Sequence, residues 1–434
     1  MKHLLYACIG TGWLLGAITA SPAQTNALAA ASGTNEITFA AFLNEVVSAN
    51  LAYAAQRYNV PIAQAALAAA KVFPNPVLGL NGGRDVTHGG SERMPSSLGA
   101  MVAQTIELGG KRKARILVAD KNLRATAATL DTFLYNLRAD AAAAFIGGVA
   151  ARQTLEQKRR ASRSLDELVT ANEQRLRVGD VGETDVTQSR VEALQFQSEV
   201  LAAEADTQAA LIALSGFLGR DRTQTTLLPI GKLEQPRHPF DLATLVPAAL
   251  TNRADLLALR HARDAAQSNI KLAKASRIPD VDVGVGVIHN TSSDNSIAPS
   301  PSFDSLGLSF SLPLPLFNRR TAEINAARFA FEQAEMNLQA AEQKAEVDLR
   351  VAFSRYQIAL DRVGRFQSAT LAGADKVLEA KRFSYQRGQT TLLDLLTAQR
   401  AANEVYLAYY GALGDAATAL IEVERAAQLW DLDF

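Results

Sequence analysis

Hydrophobic positions along the chain follow two periods, and these switch in the same order twice. Residues 36 to 71 and 240 to 276 carry apolar side chains at helical spacing, and each stretch ends just before proline, at Pro74 and Pro76 and at Pro279, which stops a helix and starts an extended segment. Strict alternation follows. In "PDVDVGVGVIHN", Val281, Val283, Val285 and Val287 share one strand face, with Asp282, Gly284 and Gly286 on the other. "SLGLSFSLPLPL" places Leu306, Leu308, Phe310, Leu312 and Leu314 opposite Gly307, Ser309 and Ser311. The first half alternates less cleanly, through Leu78 and Leu80 and then Leu98, Ala100, Val102 and Ile106. Each half predicts one hairpin, over 76–107 and 279–315, with a polar loop at its tip.

The helical period then resumes and persists. Ile116, Leu123, Leu130 and Leu137 recur every seven residues, as do Ile324, Phe331, Leu338 and Ala345, which predicts a coiled-coil seam in each half. From about Lys111 to Leu176 only Gly147 and Gly148 interrupt the pattern, and such a helix is roughly 100 Å long. Each rod ends in a sharp break, "RLRVGDVGETDV" at 175 and "YQRGQTTLLDLL" at 385, after which a return helix is expected.

These parallels form an internal repeat. "FPNPVLGL" resembles "IPDVDVGV", and "VGDVGETDVTQSR" resembles "RGQTTLLDLLTAQ", with an offset that stays near 208. A repeat this long is a duplicated fold unit, not a solenoid period. The expected organisation is a secretory signal at 1–23, a first repeat at 24–219 with its turn at 178–184, a linker at 220–240, a second repeat at 241–426 with its turn at 386–392, and a short tail at 427–434. The fold class is mainly α with a small β part.

Composition narrows the chemistry. Of 434 residues, 44 are Lys or Arg and 44 are Asp or Glu, so no net charge points to nucleic acid. Cys8 lies within the apolar run of the signal and not after it, which suits neither a disulfide framework nor a lipid-accepting position. No later stretch reaches the length of an apolar membrane helix. His3, His88, His238, His261 and His289 are scattered, so neither a metal cage nor a cofactor is expected. "LGGKR" at 108 lacks the spacing of a phosphate loop and reads as a helix start, and nothing suggests catalysis. Lys111, Arg112, Lys113 and Arg115, with Arg319 and Arg320 as counterparts, fit either a lipid-headgroup zone or a merely solvated helix start.

Small, uncharged residues opposite an apolar strand face suit the lumen of a lipid-exposed barrel, with Val281, Val283, Val285, Leu308 and Phe310 facing lipid. Four strands cannot close a barrel, and an open edge in lipid leaves backbone groups unpaired, so several copies must contribute together.

"VGETDVTQSR", "ELGGKRKAR", "SLPLPLFNRR" and "YQRGQTTLLDLLTAQR", in this order within a duplicated chain, resemble the TolC-type outer membrane factors, most closely the branch serving cobalt, zinc and cadmium efflux. The resemblance covers nearly all of the chain after the signal. It implies a homotrimer whose strands close one twelve-stranded barrel in outer-membrane lipid, above a hollow periplasmic cylinder of helices that tapers to a closed tip. It also implies a passive duct for metal cations or drugs, joined to a periplasmic adaptor and an inner-membrane pump of the RND type. Val178, Gly179, Asp180, Arg387, Gly388 and Gln389 would form the docking turns, and Thr184, Asp185, Tyr385 and Asp394 the gate, with Asp185 hydrogen-bonded to Tyr385. Thr390 and Thr397 depart from the pattern by standing where other members carry Arg and a second Asp, so no doubled aspartate ring is expected. A periplasmic adaptor or a poreless coiled-coil scaffold is the alternative, but the first needs more strands than this chain predicts.

Overall fold

A computed structural model describes residues 35–84, 95–219, 227–235, 240–294 and 299–429. The expected signal, the tips of both hairpin loops, most of the linker and the end of the tail lie outside the described residues.

The elements follow the order expected from the two periods, with additions at the entry to each half. The first half runs β1 (Asn35–Ile37), α1 (Phe39–Ala49), α2 (Leu51–Arg57), α3 (Asn59–Lys71), β2 (Val77–Arg84), β3 (Ser96–Ile106), α4 (Lys111–Arg177) and α5 (Glu183–Phe217). After β4 (Leu227–Pro229), the second half runs α6 (Leu242–Asn252), α7 (Ala254–Ala275), β5 (Val281–Asn290), β6 (Phe303–Ser311), α8 (Thr321–Arg365), α9 (Leu371–Gln386) and α10 (Leu392–Ala427). The stretches read as single helices at 36–71 and 240–276 are therefore interrupted. Asn50 bends the first, its side chain accepting from the amide of Tyr53 to start α2 while its own amide closes α1 on Val46.

Each long helix is flanked end to end by two shorter ones. Along α4, α3 covers the first part, where Arg115 Nε donates to the carbonyl of Ala70, and α5 covers the last, where Glu173 pairs with Arg190 at 2.6 Å. Along α8 and α9, α7 comes first through Arg260 and Glu342, then α10 through Arg362 and Asp415. The seam of α8 is buried at Ile324, Leu338 and Ala345, as a heptad stripe facing its neighbours requires.

The main core lies midway along this rod. Phe39 and Phe42 of α1 pack on Phe145 of α4, beside Leu214, Ala416 and Ile421. Here β1 and β4 pair in parallel, so part of the expected linker is a strand, and Leu227 within it is buried. Gly147 and Gly148 do not break α4. A Cβ at Gly148 would come within 3.1 Å of Leu214 and 3.3 Å of Pro229, so glycine lets β4 and α5 press against the helix.

Between α8 and α9, Phe366–Thr370 forms a π-helical turn that the heptad pattern does not disclose. The Thr370 hydroxyl donates to the carbonyl of Arg365, five residues back, and Phe366 packs on Tyr409 of α10.

The two hairpins join into one antiparallel sheet in the order β2-β3-β5-β6, and both of its edges are unpaired among the described residues. Register aligns the faces in rows. Leu78, Val102, Val285 and Leu308 form one row, Leu80, Ala100, Val287 and Leu306 the next, and Val283 lies opposite Phe310.

Candidate functional site: a lipid-like strand face and two helix tips

The rows just described make an apolar face of the sheet, exposed on every strand and interrupted in the row of Val283 and Phe310 by Gln104, whose amide donates to the Pro74 carbonyl. Leu80 is 74 % exposed, Leu308 82 % and Phe310 71 %, levels at which isolated aliphatic side chains in water would form an unusually large patch. The opposite face carries Gly79, Met101, Gly286 and Gly307 in one row and Asn81, Gly99, Ile288 and Ser305 in another. It is tightly built. A Cβ on Gly286 would meet the carbonyl of Ala100 at 2.5 Å, and one on Gly284 would meet Ser309 Oγ at 2.5 Å.

Four of the five residues assigned to the apolar face, Val283, Val285, Leu308 and Phe310, are exposed upon it. Val281 corrects the expectation: it shares their strand parity but is buried. It begins β5 next to Asp280, whose carboxylate accepts from the Leu108 amide and pairs with Lys111 at 2.7 Å, so the chain entering α4 closes over the start of the strand.

At the other end of the rod, the two breaks are tight turns with the same backbone logic. Gly179 has φ +79° and Gly388 φ +70°, the left-handed region where a Cβ is penalised. In the first turn the amide of Asp180 donates to Arg175 O at 2.8 Å, and its carboxylate returns to Arg175 Nε at 2.7 Å. In the second, the Gly388 amide donates to Tyr385 O and that of Gln389 to Ser384 O. Val178, Asp180, Arg387 and Gln389 all project outward, with the Arg387 guanidinium 4.0 Å over the Phe383 ring.

The return helices begin differently. Asp394 caps α10 reciprocally with Thr391, and also accepts from Thr390 Oγ1 at 2.7 Å; these hydrogen bonds hold its carboxyl below the usual carboxylate range. Gly182 occupies the equivalent place before α5 and offers no capping side chain, leaving Asp185 half-buried and Thr184 exposed in that helix's first turn.

Behind the turns, Tyr385 belongs to a small core with Leu165, Phe196, Leu392, Leu395 and Leu396, drawn from all four tip helices. Its hydroxyl donates to Asn172 Oδ1 at 2.7 Å, both residues being buried. The expected bond from Tyr385 to Asp185 is therefore replaced by one to Asn172. Asn172 is one helical turn from the end of α4 and faces α9 across the packed core, whereas Asp185 has begun the return helix. Burial pushes the Tyr385 phenol above its ordinary value; the Arg175 cation opposes this and the Asp185 charge adds to it. The partner Asn172 was missed because a lone asparagine in "VTANEQ" carries no motif, and only its place one turn before the break could have singled it out. Farther from the turns, Glu192 of α5 and Arg400 of α10 tie the two hairpins by a two-pronged contact, the Nε to Oε1 distance being 2.6 Å.

Among the described residues no group of three or more His, Cys, Asp or Glu could hold a metal ion, and no helix is long and apolar enough to cross a membrane.

The sheet and rod together have the fold of known outer-membrane channels. The structure of CusC superposes with a TM-score of 0.74 over 90% of this chain and 91% of that one, at 18% identity. VceC from Vibrio cholerae gives 0.71 over 90% and 95%, at 17% identity. In sequence, the chain is 24% identical over 390 residues to the cobalt-zinc-cadmium resistance protein CzcC of Cupriavidus metallidurans, covering 90% of this chain and 89% of that protein. It is also 24% identical over 263 residues to the outer membrane protein TolC of Vibrio cholerae, 60% of each. The model of the outer membrane efflux protein family matches residues 46–220 and 245–427, one stretch in each half, and the chain belongs to that family.

Proposed function

We propose that this outer membrane efflux protein works as a homotrimeric, passive duct, fed by a periplasmic adaptor and an inner-membrane pump of the RND type, and that its cargo is metal cations. The observation that carries the trimeric channel is the sheet. An exposed apolar face with two unpaired edges is untenable in lipid for one copy, since each unpaired backbone group in hydrocarbon costs several kcal/mol. Joining β6 of each copy to β2 of the next removes every edge, and three copies of four strands give a closed barrel with glycine and serine inside and leucine and valine outside.

The tips fit the adaptor contact. Their turns are exposed, locally self-bonded and stabilised by a core set back from the surface, so a partner can engage Val178, Gly179, Asp180, Arg387, Gly388 and Gln389 without dismantling the helices. Asp394, exposed at the start of α10, belongs to the gate, where three copies would form a ring of carboxylates that attracts cations. Metal as cargo is supported by the likeness to the cobalt-zinc-cadmium resistance protein along nearly the full length of both chains.

The test is twofold. The protein should remain in urea-washed outer membranes as a trimer and give discrete conductance steps in planar bilayers; a monomer released by the wash would refute the channel. Deleting the gene should sensitise cells to cobalt, zinc or cadmium and leave drug tolerance unchanged; the opposite pattern would refute metal as cargo.

A further inference from the structure

The apolar stripe of β6 continues past the point where its pairing stops. Leu306, Leu308 and Phe310 lie on the exposed face, and Leu312 and Leu314 follow at the same two-residue spacing in the segment beyond Ser311. The amide of Leu316 donates to Leu314 O at 2.9 Å, which turns the chain at Pro315. Leu314 and Leu316 are each 68 % exposed, and Phe317 is 101 % exposed.

Depth gives this segment a purpose. With strands rising about 3.3 Å per residue and tilted about 40°, Leu306 to Phe310 covers only about 10 Å of a lipid-facing band about 25 Å tall. Continuing to Leu314 brings the stripe to about 20 Å, and the turn to Leu316 and Phe317 completes it. Polar groups mark both limits. On the same face, above Leu306, His289 Nδ1 lies 2.7 Å from Asp304 Oδ1. At the other limit, Arg319 and Arg320 follow Phe317 and are exposed. Of the neighbouring cations, Lys111 is engaged by Asp280, Arg115 by Glu107, and Arg112 by the Lys71 carbonyl and the Phe73 ring, while Lys113 is exposed beside them. Pro313 and Pro315 also lack the amide donors that an unpaired segment would otherwise leave bare in hydrocarbon.

We propose that residues 312–320 anchor the channel in the inner leaflet of the outer membrane, with Leu314, Leu316 and Phe317 among phospholipid acyl chains and Arg319 and Arg320 on the phosphates below them. Lipid is the occupant because the segment continues the lipid-facing stripe and ends in cations that complement phosphate. The inference rests on the barrel reading above.

The experiment places a fluorescent label at Leu308→Cys, Leu314→Cys or Phe317→Cys, each in a Cys8→Ser background, and reconstitutes the protein in vesicles of brominated phosphatidylglycerol and phosphatidylcholine. Labels at 314 and 317 should be quenched at least half as strongly as the label at 308. If 308 itself is not quenched, the barrel reading fails. If 308 is quenched while 314 and 317 respond only to aqueous iodide, the anchor alone is overturned. Shielding of 314 and 317 from both quenchers also overturns it, because the segment would then be covered by a neighbouring protomer. Arg319→Gln combined with Arg320→Gln should reduce quenching of the 317 label, and unchanged quenching would remove the arginines from the anchor.

Discussion

Tyr385→Phe should open the resting channel, and Asp185→Ala should not. The Tyr385 hydroxyl bridges from α9 to Asn172 of α4 across a buried core, so its bond is made only while the two tip hairpins lie together. Removing the hydroxyl deletes one hydrogen bond and leaves the buried Asn172 carbonyl without its donor, a loss of about 1 to 2 kcal/mol per protomer. Neither partner is solvent-exposed, so no screening discount applies. In a symmetric trimer that opens in concert the three copies add to about 3 to 6 kcal/mol, or roughly 10²- to 10⁴-fold in the open-to-closed ratio. Moving a gate from 1:99 to 99:1 takes about 5.5 kcal/mol, so the change spans the range from leaky to largely open.

Asp185 makes no hydrogen bond to Tyr385. Its carboxylate in the first turn of α5 favours that helix by about 0.3 to 1 kcal/mol, but equally in open and closed states, so the effect cancels from gating. Single-channel recording of the purified trimer is the assay, with Asn172→Ala and the double variant completing a cycle. The double variant should match the single ones, since both remove one bond. If Asp185→Ala opens the channel as much as Tyr385→Phe does, the tip is locked by a different contact and this reasoning fails. The lock should also be indifferent to pH below about 10. Because the Tyr385 pKa is raised, its contribution is complete below the ordinary tyrosine value and is lost only as pH climbs through the higher one.

Three further outcomes are expected. Phe310→Arg should lower trimer yield in the outer membrane, a lipid-facing cation near mid-depth costing about 2 to 4 kcal/mol per protomer, whereas Gly307→Ser should be tolerated, since a Cβ there meets nothing nearer than 3.8 Å; equal yields would undo the assignment of faces. A Cβ at Gly388 meets no atom within 4 Å, so only its left-handed φ resists substitution. Gly388→Val should thus strain the turn by about 1 to 2 kcal/mol and reduce efflux and adaptor cross-linking in an intact trimer, while Gly388→Asn, which tolerates that φ, should restore both. The Tyr406 hydroxyl lies 2.8 and 2.7 Å from the two oxygens of Asp375, and burial followed by that carboxylate pushes its pKa up to about 12. Its stabilising contribution is present below about pH 10 and lost as pH rises towards 12; tyrosinate absorbance should show, beside the raised titration of Tyr385, a group titrating near 12 that is absent in Tyr406→Phe.

What could be read beforehand was whatever repeats. Alternation at Val283, Val285 and Val287, heptads at Ile324, Leu338 and Ala345, and glycines at 179 and 388 each declare a period or a backbone need, and the structure realises them in strands, buried seams and left-handed turns. What escaped depends on single residues or on distant partners. The β1 and β4 pair joins three residues from each side of nearly two hundred others, too short for any period to show. Asn172 and the π-helical turn at 366 lie inside helices whose apolar pattern runs through them undisturbed. These hidden features divide unevenly between the halves. The second alone carries the capping box of Thr391 and Asp394, the π-helical turn and the Tyr406 to Asp375 contact, all on α8 to α10, and it supplies the Tyr385 hydroxyl to a passive acceptor on α4. A duplicated chain starts with two equivalent hairpins, and nothing in a closed tube requires them to differ. Concentrating a reinforced helix start and an irregular helical turn in one hairpin gives it a firm end and a yielding middle. The second hairpin is therefore expected to move about residues 366–370 on opening while the regular α4 and α5 pair stays in place; spin-label distances that change within the first hairpin and not the second would refute this.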